Sequence, residues 1–239
     1  MKIVISQPMF LPWLGLFEQI KLADYLVFYD DVQIPQGRSF MSRVQVKSSS
    51  GAMWLTAPID RNLSGELINN SCLLAQQDWR VKHLKTLQHC YSRAPFFSLM
   101  YRLADQIYSF PSNNLAEFNQ NAIKTIADWL GFSPIYVKSS ELEIYGKSTQ
   151  RLVDICNRFS AKTYITGLGA LNYLEYDKFE ESHVMVHYMQ YKKIPYKQLH
   201  GEFTPYVTIL DAIANCGESV RELICSDSIY WKEFINESN

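Results

Sequence analysis

Residues 2–31 read KIVISQPMFLPWLGLFEQIKLADYLVFYDD, and this stretch decides the fold. KIVIS is a short β-branched run, the pattern of a buried strand. Gln7-Pro8 opens a loop that closes at Pro12. From Trp13 to Ala23, Leu14, Phe17, Ile20 and Leu22 recur at helical spacing. Asp24 breaks that helix. YLVFY at 25–29 is a second apolar run and stops at Asp30-Asp31. Strand, loop, helix and strand within thirty residues open a βαβ unit. Both strands are apolar throughout, as parallel strands covered on two faces are.

Outward from this unit, residues 38–47 alternate polar and apolar, and 54–58 follow Ser-Ser-Ser-Gly. A hairpin turning near 48–51 is expected. Leu67–Leu74 reads as a further short strand. Helices are expected over 78–90, 96–110 and 114–129, with Gly131 as a stop signal. In the first of these, Val81, Leu84, Leu87 and Cys90 share a face. Strand 135–137, helix 148–159, strand 162–166 and strand 184–188 restore the alternation. A strand around 196–199, a helix over 208–215 and a terminal helix over 219–225 complete the reading. The expected architecture is one α/β domain over 1–239: a Rossmann-like parallel sheet core, an antiparallel hairpin insertion and a helical subregion over 78–130.

The 239 residues carry 23 basic and 24 acidic side chains, a net charge of -1. That balance lacks the positive field of nucleic-acid binders, and no nucleic-acid partner is expected. Hydrophobic residues are 47% and charged residues 20%, which excludes a disordered chain. No apolar run is long enough to span a membrane. The apolar start is interrupted by two prolines and lacks a small-residue cleavage site, unlike a signal peptide. Five scattered cysteines without a CxxC pair fit reduced thiols, and a cytoplasmic protein is expected.

Ligands of open α/β sheets bind at the carboxyl ends of the strands. Gln7, Pro8 and Trp13 occupy the first such end, where Gly15 permits close approach. The alternative is a stiff loop with Trp13 plugging the core. A His-x-Gly-His, used there by adenylyl-transferring folds, is missing. Asp30, Asp31 and Gln33 occupy the second end and suit hydroxyls, an amine or a divalent ion, or merely a turn. Arg38 and Arg43 on the hairpin suit phosphate or carboxylate, or are solvated strand charges. His83 stands one helical turn from Trp79 and is the candidate general base, unless it only packs the helix. Gly167, Gly169, Asn172 and Tyr173 follow a strand as a weak phosphate-loop pattern. Gln198 lies in a late polar stretch. Metal binding finds little support: His183 and His187 lie ~13 Å apart if extended. The residues name no cofactor.

Several segments together resemble the WbqC-like protein family. They are ISQPMFLPWLGLFEQIKLADYLVFYDDVQ from Ile5, RSFMSRVQV from Arg38 with WLTAPI from Trp54, WRVKHLKTLQHCYSRAPFF from Trp79, YITGLGALNYLEYDKF from Tyr164, and YKQLHGEFTPYVTILDAIANCG from Tyr196. Together they run in order along nearly the whole chain. Phe40 departs from the Trp common in that family, and Thr208 replaces a Ser. The resemblance implies a bacterial surface-polysaccharide role, such as O-antigen biosynthesis, with a transferase moving an amino-acid (glycine-like) or other group. The expected partner is a small molecule, a nucleotide-linked sugar or an amino acid. His83 would be its base and Asp30 would orient substrate. The alternative is a non-catalytic nucleotide- or sugar-binding subunit.

Overall fold

A computed structural model describes residues 1–34, 39–60, 67–75 and 78–238. The main sheet has six strands: β1 Lys2–Ser6, β2 Tyr25–Phe28, β5 Ile135–Lys138, β6 Thr163–Thr166, β7 Met185–Met189 and β8 Ser228–Tyr230. Their spatial order is β5-β2-β1-β6-β7-β8. The first five are parallel and β8 is antiparallel. The parallel strands, taken in chain order, therefore follow the doubly wound 3-2-1-4-5 arrangement. The expected α/β class and hairpin insertion are both present.

Strand alternation divides the core in two. Val4, Leu26, Phe28 and Ile165 face helix α1 Leu14–Leu22 and a helical layer formed by α2 Trp79–Tyr91, α3 Phe97–Tyr108, α4 Leu115–Leu130 and α7 Ile209–Cys216. Ile3, Ile5, Val27, Tyr164 and Val186 face the other way, toward α5 Ser148–Arg158, α6 Tyr176–Glu181 and α9 Trp231–Ser238. Tyr164 stacks on Phe179 of α6 with centroids 5.4 Å apart. Both faces are covered, which is why the strands read as continuous apolar runs.

Local signals set the ends of α4. Asn114 caps it by accepting the Glu117 amide at 3.1 Å, and Gly131 takes the left-handed conformation at φ 81°. The hairpin strands β3 Arg43–Ser48 and β4 Gly51–Thr56 form a separate two-stranded sheet. Val44, Val46 and Leu55 fasten it to the helical layer.

Four expectations fail. Leu67–Leu74 is not a strand but a short 3-10 turn over Ile68–Asn70. Its amides pair with Val32, Asp30, Asn113 and Pro58 in turn, so no single ladder forms. The region 196–199 is irregular because the Gln198 side chain closes a loop, donating to the Thr204 carbonyl and accepting its amide. The buried face of α2 carries Trp79, His83, Leu87, Cys90 and Tyr91, while Val81 is exposed. The i, i+4 stripe includes a histidine that an apolar count passes over. The helix expected over 219–225 is a short α8, Val220–Leu223, and β8 and α9 follow it.

Candidate functional site

The direction of winding reverses between β1 and β6, and that is where ligands of doubly wound sheets bind. A cavity of about 1090 Å³ opens there. Ser6 and Gln7 from the end of β1 and Thr166 and Gly167 from the end of β6 form its base. Tyr29, just past β2, supplies one wall. Ser148 and Leu152, at the start of α5, supply another. The segment after β7, Gln190 to Lys193, closes it together with Tyr206.

The charged side chains described in the lining are all cationic. Among the described lining residues there is no Asp, Glu or His, whereas Lys192 and Lys193 are both present. Helices α1 and α5 begin at the cavity without side-chain caps, at Trp13 and Lys147. First-turn amides of such helices carry partial positive charge. Aromatic faces supply the apolar part. Trp13 meets Tyr191 and Tyr206 edge-on, at 4.9 and 5.4 Å, and Lys193 lies 5.3 Å from the Tyr206 ring.

Gly15 is needed for this arrangement, and the close approach it permits is to Trp13 rather than to a ligand. A Cβ at position 15 would stand 2.0 Å from the Trp13 ring. Gly15→Ala is therefore expected to keep the helix, since alanine favours it by up to ~1 kcal/mol, but to drive the indole out of the aromatic cluster. Near-ultraviolet circular dichroism should weaken while the far-ultraviolet spectrum holds. An unchanged near-ultraviolet spectrum would refute this placement of Trp13.

Gln7, Trp13, Gly167, Gly169 and Tyr173 thus come together at one cavity. Pro8 lies beside them, buried, and its carbonyl accepts from Asn119 at 2.8 Å. Asn119 also donates to the Met41 carbonyl at 2.7 Å, pinning the loop to the hairpin. Asn172 is exposed next to Tyr173.

The carboxylates serve the wall indirectly. Asp30 is 2% exposed and bonded by the Ser140 amide at 3.1 Å, the Ser140 hydroxyl at 3.1 Å and the Gln120 amide group at 3.2 Å. It clamps the turn after β2 to the turn after β5. Asp31 takes the Ser139 hydroxyl at 2.5 Å and pairs with Arg151. The Arg151 guanidinium then lies 5.0 Å from the Tyr29 ring. Burial raises the Tyr29 pKa, and the neighbouring Arg151 offsets part of that rise. Gln33 is exposed and bridges to Leu67.

His83 does not reach the cavity, contrary to the expectation for a base. It is 8% exposed, enclosed by Phe10, Trp79 and Tyr108. Nδ1 sits 3.0 Å from the Tyr108 hydroxyl, and the ring donates to the Thr56 carbonyl. Burial holds its pKa down at about 4. The placement favours the packing role. Gln198 is also remote, bonded to Lys47 at 2.9 Å in a buried cluster. Arg43 lies on the hairpin, outside the cavity lining. Arg38 falls outside the described residues. Among the described residues, no group of three or more His, Cys, Asp or Glu could hold a metal ion, and no helix is long and apolar enough to cross a membrane.

Residue reading missed Tyr29, Lys192, Lys193, Tyr191 and Tyr206. The strand-end rule reaches Tyr29 and the two lysines, which follow β2 and β7. Tyr206 had no such signal.

Comparison with known proteins places these features in a wider group. The model of a family described as the WbqC-like protein family matches residues 7–222. An uncharacterized protein of Mycobacterium tuberculosis is 31% identical over 225 residues, covering 93% of this chain and 97% of that relative. No solved structure matches the chain.

Proposed function

Because the chain belongs to the WbqC-like protein family, we propose that it is a cytoplasmic transferase of bacterial surface-polysaccharide biosynthesis, of the O-antigen kind. In this reading a nucleotide-linked sugar occupies the cavity at the switch point, and an amino-acid (glycine-like) or other group is joined to it. One observation carries the reading: the lining pairs two lysines and two uncapped helix starts with aromatic faces and offers no described carboxylate. Phosphates suit the first set, and a base or sugar ring suits the second. Gln7 and Thr166 supply polar groups at the base of the cavity. Tyr29, held by Arg151, orients the bound ring.

The alternative, a non-catalytic nucleotide- or sugar-binding subunit, draws on the same lining. With neither a carboxylate nor an imidazole described there, a general base is not supplied by the usual groups.

The test is a thermal-shift screen against nucleoside diphosphates and nucleotide sugars. A ligand at 100 times its Kd adds ~2.7 kcal/mol, which raises Tm by roughly 5–10 °C in a chain of this size. Lys192→Ala with Lys193→Ala should abolish most of that shift, and added salt should weaken it in the parent protein. No shift with any nucleotide or nucleotide sugar would remove the reading. Binding without turnover across candidate acceptors would select the alternative.

A further inference from the structure

On the hairpin, Arg43 presents two donors with nothing to receive them. Its guanidinium lies over the Trp54 ring, 4.3 Å from the centroid. Nε and Nη2 are shielded from solvent and have no hydrogen-bond partner among the described residues. None of the ion pairs among those residues involves Arg43. These two nitrogens form one edge of the planar fork, the edge whose N–H bonds point the same way. That edge matches two oxygens of a carboxylate or phosphate. Leaving such donors buried and unpaired disfavours the folded state, so their retention calls for a partner.

We propose that the Nε–Nη2 edge of Arg43 is an oxyanion site, distinct from the cavity, that takes the phosphate or carboxylate group of a small molecule. Trp54 stacks on the guanidinium plane and does not take up the two edge donors. Trp54 and Phe40 are 36% and 45% exposed, with rings 6.3 Å apart, and offer apolar faces beside the anion. The Phe10 amide donates to the Phe40 carbonyl at 2.9 Å, which places the hairpin's entry directly against the loop that lines the cavity. Neither nitrogen meets solvent, so an anion enters through a local rearrangement and is then held in a low dielectric. The inference stands on the hairpin alone and holds whether or not the cavity takes a nucleotide.

The experiment titrates the full chain with inorganic phosphate and, separately, with acetate, following the Arg43 Nε–H resonance by NMR. Its loss in Arg43→Met identifies that resonance. A saturable shift is expected with at least one probe. Phosphate alone would assign a phosphoryl group, and acetate alone a carboxylate. Arg43→Met should bind roughly ten- to hundredfold more weakly, the range for a lost charged hydrogen-bond pair. Arg43→Lys should also lose affinity, because it keeps the charge without the fork. Arg43→Met should melt no lower than the parent protein, since it removes two unpaired donors. The proposal is overturned by a silent titration with both probes, by parental affinity in Arg43→Met or Arg43→Lys, or by an Arg43→Met protein that melts well below the parent.

Discussion

His83→Leu is expected to melt roughly 5–15 °C below the parent protein. The substitution keeps most of the volume but removes both polar partners. The Tyr108 hydroxyl, 3% exposed, loses its contact with Nδ1, and the Thr56 carbonyl loses a donor. Two unpaired groups cost about 2–4 kcal/mol together. The pH dependence gives a second readout. The imidazole titrates near 4 in the folded chain and near ~6.5 unfolded. Between those values the unfolded state binds the extra proton. The contribution of neutral His83 is therefore complete above about pH 6.5 and is lost as pH falls toward 4, on the order of 3 kcal/mol in all. Melting curves across that window should flatten in His83→Leu. A variant that melts with the parent yet loses catalysis would return His83 to the reaction.

Lys47→Met should cost about 1–3 kcal/mol, the usual penalty for leaving buried hydrogen-bond acceptors without their donor. Lys47 is 4% exposed, and its Nζ donates to Gln198 Oε1 at 2.9 Å and to the Glu202 carbonyl. Its charge also acts on Asp211, which is fully buried and accepts the Tyr196 hydroxyl at 2.8 Å. Burial pushes the Asp211 pKa up, while Tyr196, Tyr91, Gln198 and Lys47 pull it down. Without Lys47 the carboxyl is more easily protonated when folded. A folded pKa raised above the unfolded value costs stability as pH rises past the unfolded one, so the penalty grows with pH. Asp211→Asn in the Lys47→Met background should recover part of the loss, and strictly additive melting shifts would deny the coupling. The cluster also anchors the 196–204 loop, next to the segment that carries Tyr206, so cavity ligands should bind more weakly in Lys47→Met.

Most of the sheet is legible in the sequence because strands buried on two faces and helices with one apolar stripe have distinct periods. KIVIS, YLVFY and KTYIT each become parallel strands. The reading fails where side chains replace ladders. Leu67–Leu74 has strand-like residues, yet its backbone is shared among four neighbours. The buried stripe of α2 escaped because His83 occupies a core position and Val81 does not. The base of the candidate cavity was visible in Gln7, Trp13 and Gly167, since strand ends are local. Its roof was not, because Tyr191 and Tyr206 reach Trp13 through a loop with no period. The Asp31–Arg151 pair spans 120 residues of sequence, and no local pattern announces such a partner.

The central position of β1 bears on how the chain is made. β1 is made before both of its neighbours, and one of them, β6, starts only at Thr163. At ~5–20 residues per second, roughly ten to thirty seconds pass before that neighbour exists. Throughout that interval the apolar strand Lys2–Ser6 has one edge unfilled, the condition under which nascent chains stick to one another. The central strand of this sheet is thus completed on its second edge only once β6 has been made.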